Sequence, residues 1–192
     1  NAGCGATDLD LLSREVRRRG ADCGIALDGD ADRALFVDEK GRVLSGDLLI
    51  ALSALHLKAQ GTLSGDCVVV TVMSNIGLVR FLDRHGISAC EVGVGDRNVT
   101  ERLEAEGLVL GGENSGHVIF RRFAPTGDGL LTALQTLAAL RARGGKLSAV
   151  RSLYREYPQV LKNVRIEKRL AIDTMPEFGR ALHKSRKALA NT

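Results

Sequence analysis

The chain is 192 residues long, 44% apolar and 26% charged, ordinary values for a globular protein with room for one or two domains and a buried core. No run approaches the ~18 apolar residues of a membrane span, and the opening Asn1-Ala2-Gly3 has neither Met nor an apolar leader, which reads as a piece cut from something longer. The net charge of +4 sits in residues 151–192, where ten Lys/Arg face four Asp/Glu (+6, against −2 elsewhere), and its scatter among apolar positions favours a solvated surface over nucleic acid or membrane.

Asp8 is placed to cap a first amphipathic helix, Leu9 to Arg19, which ends at Gly20. Short apolar runs, Ile25–Leu27 and Ala34–Val37, read as strands around the acidic loop Asp28-Gly29-Asp30-Ala31-Asp32-Arg33, and a turn at 39–42 leads into Val43-Leu44. Asp47 is placed to cap a helix from Leu48 to Ala59. The β-branched run Val68 to Val72 has the pattern of a buried parallel strand. A helix from Ile76 to His85, a strand Ser88–Val92, a helix Val99–Glu106 and strands at 108–110 and 118–120 follow. Asp128 opens a long helix, Leu130–Arg143; then come a helix Leu147–Arg155, a strand Val160–Ile166 and a basic amphipathic helix, Met175–Leu189. This alternation predicts an α/β fold with a mostly parallel sheet and helices on its faces.

Four cysteines, Cys4, Cys23, Cys67 and Cys90, form no C-x-x-C pair and have no nearby His, which argues against zinc and against a disulfide framework. Cys67 and Cys90 read as reduced core residues and Cys4, in a Gly-rich loop, as the thiol to watch; a reducing cytoplasm fits.

Two loops carry candidate chemistry. Asp28, Asp30 and Asp32 would repel one another on so short a loop, and a hard divalent cation relieves that repulsion with oxygen ligands. Arg33 adds a planar cation suited to phosphate. An EF-hand fits less well, because its sixth position needs Gly and holds Arg33, and the flanks are strand-like; a turn of solvated carboxylates is the plain alternative. In the second loop, 111–117, Glu113, Ser115 and His117 alternate and suit recognition of sugar hydroxyls or an amine, with His117 open to proton transfer or simply stacked on the surface. Gly93-Val94-Gly95-Asp96-Arg97 looks like a phosphate-contacting turn with Arg97 as anion partner, and Thr126-Gly127-Asp128-Gly129 like a helix start. Loops beyond the carboxyl ends of parallel strands are where such folds bind ligands, and this set suits a phosphorylated sugar.

These residues resemble the α-D-phosphohexomutase superfamily: Asp28–Arg33 its magnesium loop and Gly112–His117 its sugar-binding loop. Thr71–Leu78, Val94–Arg97 and Thr126–Gly129 are similar to the branch that acts on amino sugars. The resemblance implies three-layer α/β/α domains. Residues 1–42 would end a second domain, 43–154 form a third, and 155–192 be a linker and the truncated start of an α+β fourth. It implies interconversion of glucosamine 6-phosphate and glucosamine 1-phosphate, towards UDP-N-acetylglucosamine and cell-wall precursors, through an enzyme phosphoserine and a bisphosphorylated sugar. Asp28, Asp30 and Asp32 would then hold Mg²⁺ and Arg33 the phosphate; Glu113, Ser115 and Arg97 would contact the phosphorylated hexosamine, and His117 would assist proton transfer. A homodimer of the full-length enzyme is compatible with this. The superfamily's Thr-Ala-Ser-His-Asn-Pro-like serine loop and Arg-x-Ser-Gly-Thr loop do not occur in the sequence, so the expectation is a chain that does not turn over alone. Alternatives are a neutral-hexose phosphate mutase and a non-catalytic module that binds metal and sugar phosphate.

Overall fold

A computed structural model describes residues 3–162, 165, 171 and 175–189. Residues 1–158 form one compact unit and 159–192 a second.

In the first unit, helix α1 (Asp10–Arg19) follows a 3-10 turn and ends on the left-handed Gly20. Leu9 takes the cap position, while the Asp8 carboxylate accepts from the Asp10 amide at 3.1 Å from one residue further out. Strands β1 (Cys23–Leu27), β2 (Ala34–Asp38) and β3 (Val43–Leu44) form an antiparallel sheet. Its register pairs Leu27 with Ala34 across the acidic loop. One face buries Ala26, Leu35 and Val37 against Val16 of α1; the other turns Phe36 and Leu44 into the main core.

Helix α2 (Gly46–Ala59) begins two residues earlier than expected, with Ser45 at its cap. Asp47 is therefore not a cap. It lies inside the first turn and is fully buried. Strand β4 (Cys67–Thr71) is the apolar run predicted, but it ends one residue early, leaving Val72 exposed. Helix α3 (Ile76–Arg84) is capped by the Asn75 side chain, and β5 (Ser88–Val92) follows. Helix α4 (Asp96–Glu106) starts three residues before the expected Val99, so Asp96, Arg97 and Asn98 belong to its first turn and not to a loop. Strands β6 (Leu110–Gly112) and β7 (Val118–Phe120) form a hairpin, and Asp128 caps the long helix α5 (Gly129–Arg143) as expected.

The second sheet has the order β5-β4-β6-β7, parallel except for β7. Helices α2, α3 and α5 cover the face that carries Val68 and Val70, and α4 covers the face of Val69 with Val99 and Leu103. This is the expected α/β/α sandwich. Helix α5 also packs on β1 and β2, so one helix supports both sheets.

Helix α6 is only Leu147–Val150, not a helix to Arg155. The chain tightens into i→i+3 turns through Ser152 and Leu153, which bring Tyr154 into the core beside Phe81. In the second unit, Val160, Leu161 and Lys162 are not in a strand, and positions 163, 164 and 166 of that expected strand lie outside the described residues. Helix α7 (Pro176–Leu189) forms as predicted, with no buried residue. Among the described residues no helix is long and apolar enough to cross a membrane and no cysteine is paired; Cys4 is exposed.

Candidate metal and sugar-phosphate site

The acidic loop is the short connection between β1 and β2, and its backbone curls to bring alternate side chains together. Ala31 adopts φ 58°, a left-handed conformation uncommon outside glycine, and its amide bonds the Asp28 carbonyl at 3.2 Å. One oxygen each from Asp28, Asp30 and Asp32 lies within 4.8 Å of the others. Asp28 is fixed by the Arg33 amide, which donates to Oδ1 at 3.1 Å. Arg33 Nε approaches Asp28 Oδ2 at 3.5 Å and Asp32 Oδ1 at 3.6 Å, offsetting part of the negative charge. Asp32 Oδ1 is buried and makes no hydrogen bond. Strand flanks and Arg33 at the tight turn leave no EF-hand here. Three convergent carboxylates, one with an unspent buried oxygen, suit a hard cation such as Mg²⁺.

The second loop, 113–117, is the tip of the β6–β7 hairpin. His117 is not on the surface: it is 2% exposed, and its Nδ1 lies 3.0 Å from Asp32 Oδ2. This contact ties the two candidate loops together across 85 residues of sequence. Nε2 of the same ring is buried without a partner. One ring nitrogen thus faces the acidic loop and the other is enclosed, an arrangement suited to orienting Asp32.

The 126–129 turn is more than a helix start. Gly127 lies over the imidazole so closely that a Cβ there would be 2.6 Å from His117 Nδ1. Gly129 lies against the Arg33 backbone, where a Cβ would meet the carbonyl carbon at 2.8 Å, and its amide donates to the Ala31 carbonyl at 2.8 Å. Both contacts require the absence of a side chain, and neither is visible in the motif alone.

A cleft of about 370 Å³ opens beside the acidic loop at the carboxyl end of β4. Arg33, Thr71, Met73, Val94, Glu113, Asn114 and Ser115 line it. Glu113 is held by the Gly95 amide, which donates to Oε1 at 3.0 Å, and Ser115 Oγ approaches Oε2 at 3.5 Å. The structure thus brings together six of the expected residues around Arg33, which borders both the carboxylates and the cleft. Asp28, Asp30 and Asp32 lie on one side, Glu113 and Ser115 on the other, with His117 beneath. Arg97 is the exception. It sits on the exposed face of α4 with Nε 2.7 Å from Glu101, an i,i+4 pair, and it does not line the cleft. The turn expected to offer Arg97 contributes the Gly95 amide instead.

The family model for phosphoglucomutase/phosphomannomutase, alpha/beta/alpha domain III, matches residues 45–157. Phosphoglucosamine mutase of Desulfovibrio desulfuricans is 47% identical over 189 residues, covering 98% of this chain, and that of Acidothermus cellulolyticus is 48% identical over 191 residues, covering 100%. The chain spans 42% and 41% of the length of these two relatives. Among solved structures, a phosphoglucomutase/phosphomannomutase family protein from Burkholderia thailandensis has a TM-score of 0.67 at 24% identity, covering 81% of this chain and 33% of that one. Aspergillus fumigatus N-acetylphosphoglucosamine mutase, in complex with GlcNAc-6P and magnesium, has a TM-score of 0.61 at 21% identity, covering 81% of this chain and 38% of that one. At such identities these two likenesses concern the fold.

Proposed function

Because the chain belongs to the phosphoglucomutase/phosphomannomutase family, we propose that it supplies the metal loop and the sugar-reading loop of a phosphoglucosamine mutase, the enzyme interconverting glucosamine 6-phosphate and glucosamine 1-phosphate. The observation that carries this reading is the His117–Asp32 contact, which joins the carboxylate trio to a cleft edged by Glu113, Ser115 and Arg33. The curated relatives bearing that enzyme's name support the choice of substrate class. A fungal structural neighbour holds magnesium and a hexosamine phosphate, in line with the same ligands here.

In this reading Asp28, Asp30 and Asp32 hold Mg²⁺, which neutralises charge on a phosphoryl group when bound. Arg33 reaches over the carboxylates to contact phosphate oxygens with its planar fork. Glu113, already turned into place by Gly95, and Ser115 accept and donate to sugar hydroxyls. His117 keeps Asp32 aimed at the metal. The 192 residues contain no Thr-Ala-Ser-His-Asn-Pro-like loop to carry a phosphoserine, so the chain by itself binds without turnover.

Calorimetric titration of the chain with Mg²⁺ and then with glucosamine 6-phosphate tests this. The expected result is sugar-phosphate binding that needs Mg²⁺ and is weakened at least tenfold by Glu113→Gln with Ser115→Ala. Equal or tighter binding of glucose 6-phosphate would move the assignment to a neutral-hexose mutase. Binding indifferent to both Mg²⁺ and the two substitutions would refute the site.

A further inference from the structure

Asp47 is a fully buried carboxylate that takes no part in the metal or phosphate contacts above. A charge so placed is costly unless hydrogen-bonded. Its Oδ2 accepts from the Asn75 amide at 2.7 Å and from Asn114 Nδ2 at 3.2 Å. These partners come from the turn after β4 and from the 113–117 loop, the two segments that wall the cleft. Around the same point the Gly46 amide donates to the Asn114 carbonyl at 2.9 Å. The loop also lies so close to Gly46 that a Cβ there would come within 2.6 Å of the Gly116 nitrogen. The start of α2 is therefore the floor on which the sugar-reading loop rests, and Asp47 is its polar anchor.

The chemistry of that anchor decides what Asn114 can offer. Asn114 lines the cleft, and a side-chain amide has one donor end and one acceptor end. A carboxylate can only accept, so it takes the NH₂ end, and the carbonyl oxygen is left for a ligand. We propose that Asp47 is a positioning residue: it seats the 113–116 loop and turns Asn114 so that the cleft gains a hydrogen-bond acceptor, matched to a donor such as the amino group of a hexosamine. This rests on the reading of the cleft as a sugar-phosphate site, and it assigns the amino-sugar preference to the Asp47–Asn114 pair. A protonated amine donates a charge-assisted hydrogen bond that a neutral hydroxyl does not match, so the pair favours the amino sugar.

Two readouts on the chain, with and without Asp47→Asn, test the proposal. Amide hydrogen exchange at Gly46, Asn75 and Gly116 is expected to quicken about tenfold in the variant, in line with loss of a charged acceptor. In calorimetry, the wild-type chain is expected to bind glucosamine 6-phosphate more tightly than glucose 6-phosphate. Asp47→Asn and, separately, Asn114→Leu should erase that preference while the affinity for Mg²⁺ alone stays within twofold. Unchanged exchange in Asp47→Asn, or a preference that survives Asn114→Leu, would overturn it. A wild-type chain that binds neither sugar phosphate would sink the reading of the cleft, and the exchange rates would still decide whether Asp47 seats the loop.

Discussion

Replacing His117 by Ala separates an orienting role from a proton-transferring one. The ring is 2% exposed, packed under Gly127, and hydrogen-bonded to Asp32 at 3.0 Å, so the substitution removes both packed volume and a buried bond. Emptying a buried site of this size costs about 2–4 kcal/mol, and the hydrogen bond accounts for roughly 1 kcal/mol of that. For a unit of this length each kcal/mol lowers the melting temperature by about 2–4 °C, so a fall of roughly 4–16 °C is expected. The functional effect is separate. Loss of the group that orients a ligating carboxylate weakens metal binding by about 10- to 100-fold. The assay is Mg²⁺ titration by calorimetry at a temperature where circular dichroism shows the variant fully folded, with His117→Gln beside it. A glutamine amide can still donate to Asp32 and should recover part of the affinity. If His117→Ala binds Mg²⁺ within twofold of the wild type, the orienting role is wrong.

Removing one carboxylate by Asp30→Asn relieves repulsion in the metal-free chain, so its melting temperature should not fall, while the rise that Mg²⁺ confers on the wild type should vanish; thermal denaturation with and without Mg²⁺ checks both. Gly129→Ala drives a methyl group into the Arg33 backbone and should lower stability by about 1–3 kcal/mol, read by urea unfolding, and weaken Mg²⁺ binding with it. Burial, with Glu156 nearby, raises the Asp47 carboxyl above the ordinary aspartate value of 3.8, against the lowering effect of its hydrogen bonds from Asn75 and Asn114. The folded state then holds that proton more tightly than the unfolded chain, so the group's contribution to stability is full below the ordinary value and is lost as pH rises through the raised one. Urea unfolding across that range should show a decline in wild type that Asp47→Asn lacks.

The convergence of the acidic loop is legible in the sequence because three carboxylates two residues apart sit on one tight connection, and because the flanking apolar runs read plainly as strands. The hairpin tip at 113–117 is legible for a similar reason, since alternation puts Glu113 and Ser115 on one side. Asp47 is not. A Gly-Asp pair ahead of an apolar run looks like a helix cap, and its partners Asn75 and Asn114 stand 28 and 67 residues away, beyond any local spacing rule. His117 suggests chemistry by its type, yet its burial depends on Gly127, which tertiary packing alone brings over the ring. Arg97 is placed differently from its expectation, outside the cleft. The turn before it resembles an anion site, but the helix starts at Asp96, and Glu101 four residues on then claims the guanidinium.

The bond between Asp32 and His117 also bears on how the chain reaches its native state. Its two ends lie 85 residues apart, in loops that connect strands of different sheets, so each sheet can form its own pairings before the bond exists. Contacts of such long separation reward the chain only after the loop between them has closed, which places them late in folding. A cation held by the completed site would therefore act on the escape from the native state and not on the approach to it. Mg²⁺ should slow unfolding while leaving the refolding rate nearly unchanged, making the metal a kinetic latch on a structure already assembled.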